Sequence, residues 1–337
     1  MTNLVFILHA KIYTDKDADL KHLQGKTCAI LGFGSQGSAQ ALNLRDSGIK
    51  VLIGLPSKSK SRRVAQKEDF QVMTTAEAVK KADLLCLALP DLKIPAIFKK
   101  EIAPHLRPGM TLLFLHGFAI HYQTISVPPE INVIILSPKG GPGPSVRQQF
   151  LAGKGIPTAL GVHQDPSGDS KKVALAWAKG IGSTRAGVIE TTFKEETESN
   201  LFSEQTVICG GISALLQRGF ETLVEASVQP ELAYISTLHE MKLTMDLIHQ
   251  SGISGMRAAI SETAKYGDLT VGRTIIDDSV KKKMKRALQK IQSGSFAKEW
   301  LLEYQSGLKN YRSLLKKGAK HPIEAVGKRL RKVMKIS

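Results

Sequence analysis

The segment Thr27–Gly37, T-C-A-I-L-G-F-G-S-Q-G, limits what this chain can fold into more than any other stretch. An apolar run, Cys28-Ala29-Ile30-Leu31, stops at Gly32-Phe33-Gly34-Ser35-Gln36-Gly37, and the alanine- and leucine-rich stretch Ser38–Leu44 follows with the composition of a helix. Strand, glycine turn and helix in that order form the dinucleotide-binding fingerprint. Each glycine has its own task. Gly32 permits the tight turn, Gly34 lets backbone approach a pyrophosphate, and Gly37 lets the helix pack closely on the strand. The helix N-terminus then offers unpaired N–H groups and a positive dipole end to phosphate. Alone, the glycine pattern describes a plain turn equally well; the strand before it and the helix after it decide for the nucleotide.

The same alternation continues. Strand-like runs fall at Thr27–Leu31, Lys50–Gly54, Leu84–Leu89, Thr111–Leu115 and Val133–Leu136, with helical patterns at Ser35–Ser47, Ser61–Lys67, Thr75–Lys81 and Ala96–Ile102 between them. This predicts a mainly parallel sheet wrapped by helices, with its ligand site beyond the C-terminal strand ends. Short runs at Thr158–Val162 and Gly187–Glu190 extend the sheet. From Thr191 the composition changes to long helix-compatible segments: Glu195–Leu216, Gly219–Ser227, Glu231–Gln250, Ile253–Tyr266, Asp278–Ser293 and Phe296–Tyr304. Pro230 stands where a helix starts. An α/β Rossmann domain over residues 1–190 followed by an all-helical domain over 191–337 is the expected organisation, and a length of 337 residues accommodates both.

Three cysteines, Cys28, Cys86 and Cys209, lie far apart among apolar or small residues. That pattern excludes a disulfide framework and a zinc site, and fits three buried thiols in a reducing cytoplasm. Leu4–Ala10 is apolar but has no basic flank, and reads as an N-terminal arm, not a signal peptide. No run is expected to span a bilayer. The net charge of +17 gathers near the C-terminus, in Lys281–Arg286 and Lys328–Lys332. Met284, Leu288 and Ile291 recur at helical spacing through the first cluster, so a solvated basic helix face is the reading preferred over a nucleic-acid site.

The residue after the second strand of such a sheet meets the adenosine ribose, and an NAD site places a carboxylate there. Here the loop is Leu55-Pro56-Ser57-Lys58-Ser59-Lys60-Ser61-Arg62-Arg63, without one. Hydroxyls and cations suit a 2′-phosphate, so the predicted cofactor is NADPH.

Further blocks run almost end to end: Ala41–Gly48, His116-Gly117-Phe118, Ser137-Pro138-Lys139, Arg185–Glu198, Gly219–Ala226 and His321-Pro322-Ile323-Glu324. With the glycine loop they resemble ketol-acid reductoisomerase (acetohydroxyacid isomeroreductase) in its short form, or a divergent paralogue of it. The resemblance implies a Rossmann domain followed by a knotted helical domain, NADPH, two Mg²⁺ ions, and a homodimer or larger homo-oligomer. It implies alkyl migration in a 2-acetohydroxy acid followed by hydride reduction to a 2,3-dihydroxy acid, in branched-chain amino acid biosynthesis.

Carried over position by position, the resemblance makes His116, Lys139, Glu240 and Ser261 catalytic. It assigns the cofactor to Gly32, Phe33, Gly34, Ser35, Gln36, Ser59, Ser61, Asp91 and Gly143. Pro138-Lys139-Gly140-Gly141-Pro142-Gly143 has one residue more than the family's loop, and Pro56 replaces an arginine, leaving Lys58, Lys60 or Arg62 to supply the cation. The metal positions depart further. The family holds its ions with two i,i+4 carboxylate pairs, each on one helical face. This chain has Asn200 with Glu204, and Ser236 with Glu240. Weak or single-ion Mg²⁺ binding is therefore expected, and the isomerising step is the one in question, because it relies on metal polarisation of two substrate oxygens. Nearby Glu196 or water would compensate if the ordinary reaction survives. The alternatives are an NADPH-dependent reductase of another 2-keto substrate and a non-catalytic NADP-binding paralogue.

Overall fold

Apolar runs of four residues, each stopped by glycine or a polar cluster, are too short for helices and form strands wherever both of their faces can be covered. Cys28–Leu31, Val51–Gly54, Leu84–Leu87 and Thr111–Phe114 are buried at every position. The computed structural model describes residues 10–141 and 143–334; Leu4–His9 of the predicted arm and Pro142 of the loop after Lys139 lie outside them.

Among the described residues, one sheet holds nine strands. They are β1 (Ile12–Tyr13), β2 (Cys28–Leu31), β3 (Val51–Gly54), β4 (Gln71–Met73), β5 (Leu84–Leu87), β6 (Thr111–Phe114), β7 (Asn132–Pro138), β8 (Thr158–Gln164) and β9 (Val188–Glu190). Their order is β1-β9-β8-β7-β6-β5-β2-β3-β4. The block β4-β3-β2-β5-β6-β7 is parallel throughout. It is the doubly wound order that reverses direction beside its first strand, so a crevice opens beyond the ends of β2 and β5. β8 runs antiparallel to β7, and β1 closes the far edge antiparallel to β9. The short β1 and β4 are strands the sequence pattern did not reveal.

Helices α1 (Ser35–Asp46), α2 (Ser61–Lys67), α3 (Thr75–Lys81), α4 (Ile94–Ile97), α5 (Phe118–His121), α6 (Gly143–Leu151) and α7 (Ser170–Gly180) cover this sheet. The helix expected at Ala96–Ile102 is instead short α4 followed by a π-helical turn, Phe98–Ile102. Two apolar layers result, one around Trp177, Leu44 and Ile30, the other around Phe114, Leu85 and Ile135.

The chain divides into two compact units between Thr197 and Glu198. The second is helical, with α8 (Phe193–Ser203) leading into it, then α9 (Gly210–Glu225), α10 (Pro230–Tyr234), α11 (Glu240–Ala259), α12 (Glu262–Ile275), α13 (Asp278–Gln292), α14 (Ser295–Gln305), α15 (Lys309–Gly318) and α16 (Pro322–Met334). Pro230 opens α10 as its missing N–H allows. Two π-helical turns interrupt the series, at Glu204–Ile208 and Ile235–His239. Gly252, at φ 74°, bends α11 where one helix was expected to end.

Among the described residues of this unit the buried cluster is small, Phe220, Ala233, Tyr234, Ile323 and Leu330, with Met256, Ile291 and Ala297 buried outside it. Ile208, Ile253 and Ile275 are each more than half exposed. Between Phe193 and Glu225 the most apolar 18 residues have a mean hydropathy of 1.2, yet 6% of that window is buried. By length and composition that stretch is long enough to cross a membrane, contrary to the sequence expectation. A second correction concerns Cys209: Cys28 and Cys86 are buried, but Cys209 is exposed at the break before α9. In α13 the lysines are exposed, while Met284 and Leu288 turn half inward and Ile291 is buried.

Candidate active site

The glycine loop has the geometry a pyrophosphate needs. Gly32 has φ 106°, and a Cβ there would lie 2.2 Å from the Ala88 carbonyl oxygen, so only glycine makes this turn. A Cβ on Gly34 would meet nothing within 4 Å, which leaves open space beside the N-terminus of α1. Gly143 packs so tightly on Ser35 that no side chain fits, and its N–H donates to Ser35 Oγ at 2.8 Å. The Gln36 amide donates to the Gly141 carbonyl at 3.2 Å. The enlarged loop after Lys139 thus lies directly on the phosphate loop. Phe33 is buried edge-on against Phe70, so its side chain serves the core. These residues fit a dinucleotide.

At the ribose end the predicted cations separate. The Arg62 guanidinium donates to the carbonyls of Leu55 (2.9 Å), Met73 (3.0 Å) and Val72 (3.4 Å), tying the loop to β4. It builds the loop. Lys58 and Lys60 are exposed beside Ser59 and Ser61, which are half-buried and joined by a 3.3 Å bond from Ser61 N–H to Ser59 Oγ. Asp91 heads the turn after β5, at the crevice.

His116 follows β6 and Lys139 follows β7, at the C-terminal edge where such a sheet concentrates its chemistry. A carboxylate from α8 joins them. Glu196 Oε1 receives Lys139 Nζ at 2.5 Å, and its Oε2 receives His116 Nδ1 at 3.2 Å and the Gly117 N–H at 3.1 Å. Gly117 allows this approach, because a Cβ there would lie 2.2 Å from Thr197 Oγ1. Burial alone would raise the Glu196 pKa, but His116 and Lys139 outweigh it and bring the carboxyl down to about 2. For His116 burial opposes protonation, but the hydrogen bond and charge of Glu196, with help from Asp91, raise its pKa above the ordinary value. His116 Nε2 is buried with no partner among the described residues. Glu196 thus favours the protonated form of His116 and orients its ring through Nδ1. Sequence reading gave Glu196 only the role of a substitute metal ligand. Its link to His116 spans 80 residues, which no local pattern shows.

The remaining predicted residues belong to the helical unit. Glu204 opens one π-helical turn, and Ser236 lies in the other, immediately before Glu240. Such turns recur at functional sites. Ser261 caps α12, accepting from the Ala264 N–H at 3.2 Å. Among the described residues no group of three or more His, Cys, Asp or Glu side chains is gathered for a metal. Asn200 and Ser236 offer neutral oxygens where an Mg²⁺ pair needs charged ones. The donor set does not fit two ions.

A glycine-loop Rossmann sheet with a buried His–Glu–Lys cluster at its carboxyl edge defines a nicotinamide-dependent oxidoreductase. Residues 22–187 match the acetohydroxy acid isomeroreductase NADPH-binding domain, and residues 193–336 match the ketol-acid reductoisomerase C-terminal domain. The chain belongs to the ketol-acid reductoisomerase family. It is 54% identical over 325 residues to the ketol-acid reductoisomerase (NADP(+)) of Pyrobaculum calidifontis, covering 96% of this chain and 99% of that one. It is 52% identical, at the same coverage, to that of Pyrobaculum aerophilum. The solved structure of an NADH-preferring ketol-acid reductoisomerase from an uncultured archaeal source superposes with a TM-score of 0.93 at 43% identity, over 96% of this chain and 98% of that one.

Proposed function

We propose that this chain acts in the NADPH-dependent conversion of 2-acetohydroxy acids to 2,3-dihydroxy acids, and that its own residues are equipped above all for the reducing step. The His116–Glu196–Lys139 cluster carries this reading. The backbone of Gly32–Gln36 and Gly143, with Ser59, Ser61 and the neighbouring lysines, would hold NADPH, which when bound would supply a hydride for the keto carbon. As the carbon–oxygen π bond opens, charge collects on oxygen. His116, protonated and fixed through Nδ1 by Glu196, gives up its Nε2 proton there. Lys139 adds a second positive charge beside the developing alkoxide, and the cluster with both bases protonated carries net charge +1, suited to an anionic keto acid. Glu240 and Ser261 are assigned to the substrate, and Glu204 with Glu240 to divalent metal. The cytoplasm, with its reduced thiols, is the assigned compartment, consistent with three free cysteines.

A homodimer, or a larger assembly of it, is the second part of the reading. The uncovered apolar positions of the helical unit, Ile208, Ile253 and Ile275 among them, support it, because a surface so apolar calls for a partner. The catalytic reading is tested by NADPH oxidation with 3-hydroxy-3-methyl-2-ketobutyrate, the keto acid that the rearrangement delivers to the reduction. Turnover is expected, and its absence while NADPH still binds would overturn the reading.

A further inference from the structure

We infer that this chain does not hold a pair of divalent ions, and that its working substrate is a 2-keto acid whose alkyl group has already migrated. The inference rests on the reduction proposed above and assigns that site its substrate class. Two adjacent dications repel strongly, so a two-metal site needs several negative ligands. The two i,i+4 pairs that would supply them retain one carboxylate each, Glu204 and Glu240, beside neutral Asn200 and Ser236. Two carboxylates neutralise one ion.

Two further carboxylates of α8 are engaged elsewhere. Glu196 gives Oε1 to Lys139 and Oε2 to His116 and Gly117, so recruiting it to a metal would break the cluster that holds the proton donor. Glu198 accepts from the Gln292 amide at 3.0 Å. The backbone forms π-helical turns at both pairs, Glu204–Ile208 and Ile235–His239. The reducing step asks for less: the hydride reaches the keto carbon, the oxygen takes the His116 proton, and neither transfer needs a second Lewis acid.

Two measurements on the full-length protein decide this. Titration with Mn²⁺, followed by electron paramagnetic resonance, is expected to give at most one ion per chain for the natural sequence and two for the double variant Asn200→Asp, Ser236→Glu. NADPH oxidation with saturating Mg²⁺ is expected to run at least 100-fold faster on 3-hydroxy-3-methyl-2-ketobutyrate than on 2-acetolactate, with the double variant closing that gap. Two Mn²⁺ per natural chain, or equal turnover of the two acids, would overturn the inference. If neither acid consumes NADPH, the proposed function fails instead, and the Mn²⁺ count still decides the metal question without any variant.

Discussion

Glu196 shows how much a single side chain can organise. It lies buried with two bases on it, and each of the three groups sets the charge of the others. Glu196→Gln keeps the shape but removes the charge that holds His116 protonated. We expect kcat to fall roughly 100-fold or more, the usual size of a general-acid contribution. The alkaline limb of the pH–rate profile should also move to lower pH, since His116 loses what raised its pKa. An unmoved limb would show that Glu196 has only a packing role. The same pair sets acid stability. A carboxyl held at about 2 in the fold, against about 4.3 unfolded, stabilises the protein above the unfolded value. That contribution, on the order of 3 kcal/mol, is lost as pH falls from about 4.3 toward 2. For His116 the sign is opposite: a raised pKa stabilises fully below the unfolded value near 6.5, and the contribution fades as pH rises through the folded value. Thermal melts of the natural chain and of Glu196→Gln from pH 3 to 9 should converge at the acid end. His116 was proposed from its place just past a strand together with the resemblance, and Lys139 from the resemblance alone. Glu196 was legible as a carboxylate but not as their partner, because only the packing of α8 brings it to them.

At the scale of elements, what could be read from sequence was whatever a strand or helix writes along its own length. The four-residue runs of β2, β3, β5 and β6 are buried at every position and, Thr111 apart, consist of apolar residues and glycine. The two residues of β1 and three of β4 are too few for any periodicity, and they exist because β9 and β3 offer edges to pair with. The π-helical turns at Glu204 and Ile235 were equally hidden, since one extra residue in a turn leaves no compositional trace. The loop after β3 shows both limits at once. Its cations were visible, but not their division of labour. Arg62→Ala strips three partly buried carbonyls of a shared donor, and should lower the melting temperature by several degrees, from a loss of about 1–3 kcal/mol. Lys58→Ala with Lys60→Ala should leave the melting temperature unchanged. It should raise KM for NADPH roughly tenfold with KM for NADH unaltered, as loss of an ion-assisted phosphate contact requires. Equal weakening toward both nucleotides would remove the lysines from the 2′-phosphate.

For the whole molecule, the change of composition at Thr191 announced two kinds of structure, and a helical second unit follows it. Composition could not say that this unit would leave so much of its apolar surface uncovered. Helices normally gain stability by burying one face. Here the buried cluster has five residues, with Met256, Ile291 and Ala297 buried outside it, while side chains such as Ile253, at 56% exposure, and Ile275, at 59%, face outward. The homodimer proposed above would cover such a surface, and would cover the apolar stretch Phe193–Glu225 as well. Light scattering should therefore give twice 36.7 kDa, or a multiple of that dimer. Ile253→Glu with Ile275→Glu places charges at positions the single chain already exposes, so its own fold should be preserved, as circular dichroism would confirm. The expected result is dissociation to 36.7 kDa with loss of turnover, while NADPH binding to the first unit persists. A double variant that keeps the natural mass would show that these faces are not where the copies meet.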